Sequence, residues 1–295
     1  MVLVIICEFS LRSQSYADLL KITASGTGLN KFDSTKSASS LTEYGADLTA
    51  PVMLNDKNNF LTGVIYENIN TKLFPNEKNV TFSSIALKVG LSSKLSEKLT
   101  GTFVLLPKLS SNFGPIGSKD FQIGGIALFK FQKNEQLSWK YGIYYNSELF
   151  GPFFVPILGM YYQSQNKKLE LNMLLPLQVD FNYQLIPLMN AGINFNGQMR
   201  SYHLTNVSPG LNSSYLTRST NELYAYLRFN FGKSILLYTR CGQSFARYYR
   251  VYNDNDKVSF GMPLTFIGPK RTQLNTDFSD GLIFQIGITY RVAIK

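Results

Sequence analysis

The sequence predicts an all-β fold: a closed, antiparallel, up-and-down transmembrane β-barrel of about 12 strands, with 14 as the alternative count. Three observations predict it. Apolar and polar residues alternate with a period of two over segment after segment, which gives a strand two unlike faces. Charged residues make up only 16% of the 295, well below the roughly 25% of an average soluble domain. No apolar run approaches the ~20 residues that a spanning helix needs. The best candidate, Leu149–Tyr162, is interrupted by Pro152 and Pro156.

Taken in chain order, the first element is not a strand. Met1 is followed by an apolar run, Val2–Ile6, and small residues arrive at Ser13 and Ser15. Residues 1–15 are therefore expected to be a secretory signal, and 16–295 a single barrel domain. Bulky Ile6 before Cys7 argues against a lipoprotein, and Cys241 is then the one cysteine retained, so no intrachain disulfide is expected.

The strands follow. In 43–54, Tyr44, Ala46, Leu48, Ala50 and Val52 share one face, with Asp47, Thr49 and Pro51 on the other. Alternating segments at 59–72, 79–93, 97–108 and 119–132 are separated by turn-like stretches such as NDKN (55–58), KLSE (94–97) and QKNE (132–135). Segment 135–147 sets Trp139, Tyr141, Ile143 and Tyr145 against Lys140, Gly142, Tyr144 and Asn146. After 151–163 and the turn SQNKK, apolar residues stay in phase from Leu169 to Leu185, so 168–185 is expected to be one long strand through Pro176. Segments 188–202, 221–232, 234–251 and 281–293 complete twelve, and 18–25 and 258–267 could raise the count to fourteen. Long connections fall at 28–42, 109–118, 203–220 and 252–280. On this count the last two share one end of the barrel and 109–118 falls at the other.

The polar face separates a membrane barrel from a soluble sandwich. A sandwich exposes its polar face to water and fills it with Lys, Glu and Asp. Here that face is mostly Gly, Asn, Gln, Thr, Ser and Tyr, which suits a lumen, with the apolar face on lipid. Tyr44, Tyr66, Tyr161, Tyr162, Tyr183, Tyr248 and Tyr249 are expected in interfacial girdles. In the closing strand, Phe284 and Ile288 are expected on lipid, and Gln285 and Arg291 on the lumen. The net charge of +10 is spread singly rather than clustered, so no nucleic acid partner is expected. The expected setting is the bacterial outer membrane. Its lipid and lipopolysaccharide, and the barrel-assembly machinery, are the expected partners of a monomer.

The segment LLPLQVDFNYQL, the glycine-containing strand after it, and the ending NTDFSDGLIFQIGITYRV resemble an uncharacterised outer-membrane β-barrel family, a domain of unknown function common in Bacteroidota. The resemblance covers most of the chain after residue 15. It implies a fold and a location, and it supplies no activity.

Residues that could carry chemistry are few. His203 is the one histidine, so a serine–histidine site would have to use it, with Ser201 or Ser208 as the nearby serines. The stretch YNDNDK (252–257) lacks the Gly and terminal Glu of a calcium loop and reads as a turn. No catalytic, metal or cofactor-binding residue is assigned, and no enzymatic activity is expected. By phase, the expected lumen-lining charges are Asp47, Lys88, Lys130, Lys140, Glu170, Asp180, Glu222, Arg228, Arg240, Arg250 and Arg291. They suggest a narrow, porin-like channel or transporter for small anionic solutes. The alternatives are a non-conducting structural or surface-interaction barrel, whose charges pair and fill the lumen, and an outer-membrane lipid-modifying enzyme.

Overall fold

The computed structural model describes residues 16–33 and 35–293. The expected signal, with Cys7, lies outside the described residues. Fourteen strands form the barrel: β1 Tyr16–Thr27, β2 Leu41–Met53, β3 Asn58–Thr71, β4 Val80–Lys94, β5 Leu99–Ser111, β6 Phe121–Gln132, β7 Leu137–Glu148, β8 Gly151–Gln163, β9 Leu169–Leu175, β10 Gln178–Ile186, β11 Met189–Ser208, β12 Leu211–Phe231, β13 Ile235–Asn253 and β14 Leu282–Ala293. Each pairs with its sequence neighbours, and β14 pairs antiparallel with β1, placing Ile22 beside Ile288. That seam closes the sheet, so no edge is left to meet hydrocarbon. Among the described residues no helix is long and apolar enough to cross a membrane.

Alternation becomes two faces. In β4, Ile85, Leu87, Val89 and Leu91 are exposed on the outside, while Ser84, Ala86, Lys88 and Ser92 are buried inside. The outer apolar surface continues through Leu105, Ile123, Ile143, Phe181, Ile193 and Ile286. In β14, Phe284 and Ile288 face outward, and the buried Ile283 and Thr289 mark the inward phase that Gln285 and Arg291 share. Tyr44, Tyr66 and Tyr183 are exposed on the outer face, as a girdle requires, whereas Tyr161 and Tyr249 are buried inside.

The count is fourteen rather than twelve, and the reason is local. Segment 168–185 is not one strand but two, β9 and β10, turning at Pro176–Leu177 with Leu174 opposite Gln178. That pairing sets even residues against even and odd against odd. Leu171, Met173, Val179 and Phe181 therefore share an outer face on both arms of the hairpin, and the pattern passes through the turn without a break. Pro176, which cannot donate to a ladder, was the one local sign of a reversal. Segment 18–25 lies within barrel strand β1. Segment 258–267 instead forms a small hairpin, Phe260–Met262 with Thr265–Ile267, which touches the top of β8 through Phe153 and Gly261.

Dividing that segment restores the order of the ends. Short turns at 54–57, 95–98, 133–136, 164–168, 187–188 and 232–234 lie at the end holding Tyr16. The connections 28–40, 72–79, 112–120 and 254–281 all lie at the other, with the tight turns 149–150, 176–177 and 209–210. The stretch near 109–118 thus joins the other long loops.

An arginine on the lipid face of a barrel strand costs roughly 2–4 kcal/mol at the bilayer midplane. Leu105→Arg, at the centre of β5, is expected to lower folding stability by about that amount, measured by urea unfolding of the protein in vesicles. An unchanged midpoint would remove the assignment of this face to lipid.

Candidate functional site

The lumen is the candidate site, and a hairpin controls it. β11 and β12 run 20 and 21 residues, about twice the 9–11 of a spanning strand. Their loop-end halves include the stretch 203–220, expected from sequence to be a connection. They remain a paired ladder, with Tyr202 opposite Leu216 and Arg200 opposite Arg218. This extension leaves the wall and crosses the mouth. His203 bridges Ser111 at the end of β5, six strands away around the barrel. Ser110 Oγ and Gln122 Nε2 both donate to the carbonyl of Ser201, at 2.9 and 3.1 Å. Residues on both faces, including Tyr202, Leu204, Thr217 and Arg218, are buried.

Buried ion pairs hold the hairpin there. Glu67 on β3 receives Arg200 Nη1 at 2.7 Å and Arg218 Nη1 at 2.8 Å, and the Tyr202 hydroxyl also donates to it. Arg218 Nη2 reaches Glu43 on β2 at 2.6 Å. Glu148 at the end of β7 accepts the Ser201 N–H at 2.6 Å and lies 3.5 Å from Lys108 Nζ. Charges taken out of water are tolerated only when they are paired and hydrogen-bonded in this way. Glu43 shares the inward phase of Asp47, so alternation alone could have found it. Arg218 sits in a stretch expected to be a loop and could not have been found that way.

Below the hairpin the two sides of the lumen differ. On β3 to β8 the inner wall is partly apolar, with Leu61, Ile65, Leu106, Leu128 and Ile157 buried in one cluster with Phe150 and Tyr215. The β12–β14 side is basic and aromatic. The turn at Gly232 sets Tyr226 beside Arg240 and Arg228 beside Tyr238. The Arg240 guanidinium lies 4.4 Å from the centre of the Tyr238 ring, and that of Arg228 5.1 Å from Tyr226. These rings lie along the wall: a Cβ at Gly192 or Gly287 would fall 2.4 Å from the ring of Tyr226 or Tyr238. Glycine at those two positions keeps the rings out of the lumen's centre.

The remaining charges named from sequence fall as follows. Lys88 bonds Thr49 at 2.6 Å and also pairs with Asp47. Lys140 donates to Asn172 at 3.0 Å, and Lys130 is buried on the inner wall of β6. Glu170 stands opposite Asn182, and Glu222 accepts the Tyr224 hydroxyl at 2.8 Å. Arg228 pairs with Asp180 at 3.6 Å and Arg291 with Asp18 at 3.0 Å. Arg250 departs from its expected place. β13 carries one extra residue near Ala246, where φ is +48°, and the register slips there against β12. A slip of one residue exchanges the two faces. Arg247, Tyr249 and Val251 are therefore buried, while Arg250 is only half-buried at the rim and binds Asp277 at 2.6 Å. The same slip turns Tyr249 inward.

The serines named beside His203 are not its partners. Ser201 Oγ donates to Glu148 and accepts from the Leu149 N–H, and Ser208 ends β11 opposite Leu211. The stretch 252–257 turns with the Asp256 N–H on the Asn253 carbonyl. Among the described residues no group of three or more His, Cys, Asp and Glu is placed to hold a metal ion.

Comparison with known proteins adds a family and some distant likenesses. No curated protein matches the chain. Among solved structures, the COG4313 outer membrane channel from Pseudomonas putida F1 is 9% identical with a TM-score of 0.47, over 96% of this chain and 97% of that one. The P. putida toluene transporter TodX is 9% identical with a TM-score of 0.42, over 95% and 90%. A Pseudomonas aeruginosa FadL homologue is 14% identical with a TM-score of 0.36, over 94% and 75%. None of these likenesses assigns a substrate to this chain. The family described as a domain of unknown function, DUF6268, matches residues 24–291, and the chain belongs to it.

Proposed function

We propose that the protein is an outer-membrane barrel that passes small solutes, anions in preference, when the 200–219 hairpin lifts from its mouth. The observation that carries this reading is the contrast along the lumen. The mouth is sealed by polar and ionic contacts that water could replace. Toward the short-turn end, Arg228, Asp180, Asp18 and Arg291 keep 15–21% of their side-chain surface accessible, and basic side chains outnumber acidic ones among those named from sequence. A basic lining raises the local concentration of anions. The proposed surroundings are outer-leaflet lipid and lipopolysaccharide, after insertion by the barrel-assembly machinery, with the protein acting as a monomer. The second reading is a barrel that never conducts. The burial of both faces of the hairpin favours it.

Conductance in a planar bilayer separates the two. The intact protein is expected to be mostly closed, with brief steps. A variant in which a short linker replaces residues 200–219 is expected to give sustained steps, with a reversal potential that reports anion preference. A silent bilayer from that variant, with heat-modifiable gel mobility showing a folded barrel, would sink the channel reading. Arg228→Glu combined with Arg240→Glu is expected to reverse the selectivity, and an unchanged reversal potential would take these arginines out of the pathway.

The latch gives a separate prediction. Glu67→Gln leaves Arg200 and Arg218 without their shared carboxylate, and breaking a buried pair from one side costs about 3–5 kcal/mol. Open probability is expected to rise with the barrel still folded. Open probability equal to that of the unmodified protein would mean that Glu67 does not hold the hairpin.

A further inference from the structure

His203 has partners that the lumen does not use. It lies on the β11 arm of the hairpin and Ser213 on the β12 arm, diagonal neighbours on one face, since His203 stands opposite Tyr215 and Thr205 opposite Ser213. His203 Nε2 is 3.0 Å from Ser213 Oγ, and His203 Nδ1 is 2.8 Å from Asp120 Oδ1. Asp120 is 1% exposed, and its other oxygen accepts the Gly117 N–H at 2.6 Å. His203 is 6% exposed and Ser213 half-buried. A buried carboxylate that fixes the Nδ1–H tautomer leaves Nε2 as an acceptor aimed at an accessible hydroxyl. That is the arrangement of an activated serine nucleophile, recognised by geometry rather than by order in the chain.

We propose that Ser213, His203 and Asp120 form a hydrolytic triad at the loop end of the barrel, acting on carboxylic esters of membrane lipids. Ser213 Oγ attacks the ester carbonyl carbon while its proton moves to His203 Nε2. The tetrahedral oxyanion collapses, the bond to the alcohol oxygen breaks, and the departing alcohol takes the proton from Nε2. Water then attacks the acyl-serine with His203 again as base, which releases the carboxylic acid and restores the hydroxyl. Asp120 positions the ring and stabilises its positive charge. Lys119 Nζ, 3.5 Å from Ser213 Oγ on a side chain that is 55% exposed, is a cation that can move to the developing oxyanion.

The ester class follows from the surroundings. Phe113, Ile116, Phe121 and Ile123, on the segment that carries Asp120, are all exposed. Ile123 belongs to the outer apolar face of the barrel, so these side chains carry that face along the segment to the position of Asp120, a route an acyl chain from the bilayer would follow. One contact opposes the reaction at rest: Ser213 Oγ also donates to Asp254, which Lys119 holds at 2.6 Å. Burial raises the Asp254 carboxyl, but the hydrogen bonds from Lys119 and Ser213 and the lysine's charge outweigh it, and hold the group below the usual carboxylate range. The resting Ser213 hydroxyl therefore points its proton at the Asp254 carboxylate, and attack requires that it turn to His203.

The test is fluorophosphonate labelling of the full-length protein folded in detergent, with fatty acid release measured from micellar diacyl phospholipid. Labelling at Ser213, its loss in Ser213→Ala, and about a 10²–10⁴-fold lower rate in His203→Ala are expected. Asp254→Asn, which weakens the competing acceptor, is expected to label several-fold faster. A purely structural latch would give no labelling at all. Heat-modifiable mobility shows that each variant is folded. Absence of labelling in the folded parent, or equal labelling in Ser213→Ala, would overturn the triad. Turnover of a soluble short-chain ester as fast as micellar lipid would overturn the lipid assignment.

Discussion

Backbone hydrogen bonding in hydrocarbon is the constraint on which this structure depends. An N–H or C=O left unpaired there costs several kcal/mol, so a sheet with a lipid-facing surface must close. The pairing of β1 with β14 does this. β14 carries two unlike faces because it separates lipid from lumen. In a closed sheet the number of strands sets the width of the lumen, hence how many side chains are needed to fill it.

Filling the lumen raises a second problem, since charges there have left bulk water. Along the wall, charges pair between nearby strands, as Arg291 does with Asp18, and at the mouth they pair across the barrel. Glu67 on β3 binds arginines that arrive from β11 and β12, so one carboxylate ties the wall to the hairpin. Such a contact is strong while water is excluded and weak once water enters. A polar seal therefore opens more abruptly than an apolar one of equal area. The hairpin that lies across the mouth also brings His203 to Asp120.

Much of the wall was legible in the sequence, and its failures have specific causes. Alternation identifies faces, and it does so strand by strand for Asp47, Lys88, Lys140 and Arg240. It cannot report chain direction, which is why Leu169–Leu185 concealed a hairpin. It also cannot see an inserted residue, which is why Arg250 and Tyr249 exchanged faces at Ala246. The awkward placement of 109–118 was a trace of the missing reversal at Pro176. The hairpin that crosses the mouth has the composition of a loop, because Ser, Asn, Gly and Pro are turn formers. In fact its polar residues meet buried polar partners. Asp120 and Ser213 were out of reach, since both become meaningful only when distant segments meet.

The β9–β10 hairpin has a consequence for the membrane itself. β9 is 7 residues long, roughly 23 Å along the strand, and tilt reduces its height to about 18 Å against an apolar belt of ~25 Å. The hydrophobic wall is therefore lower over one arc of the circumference than elsewhere. A bilayer accommodates such mismatch by thinning locally or by letting the protein lean. Lipids beside this arc would then be compressed on one flank only, which would give the barrel a preferred azimuth in a curved or crowded membrane.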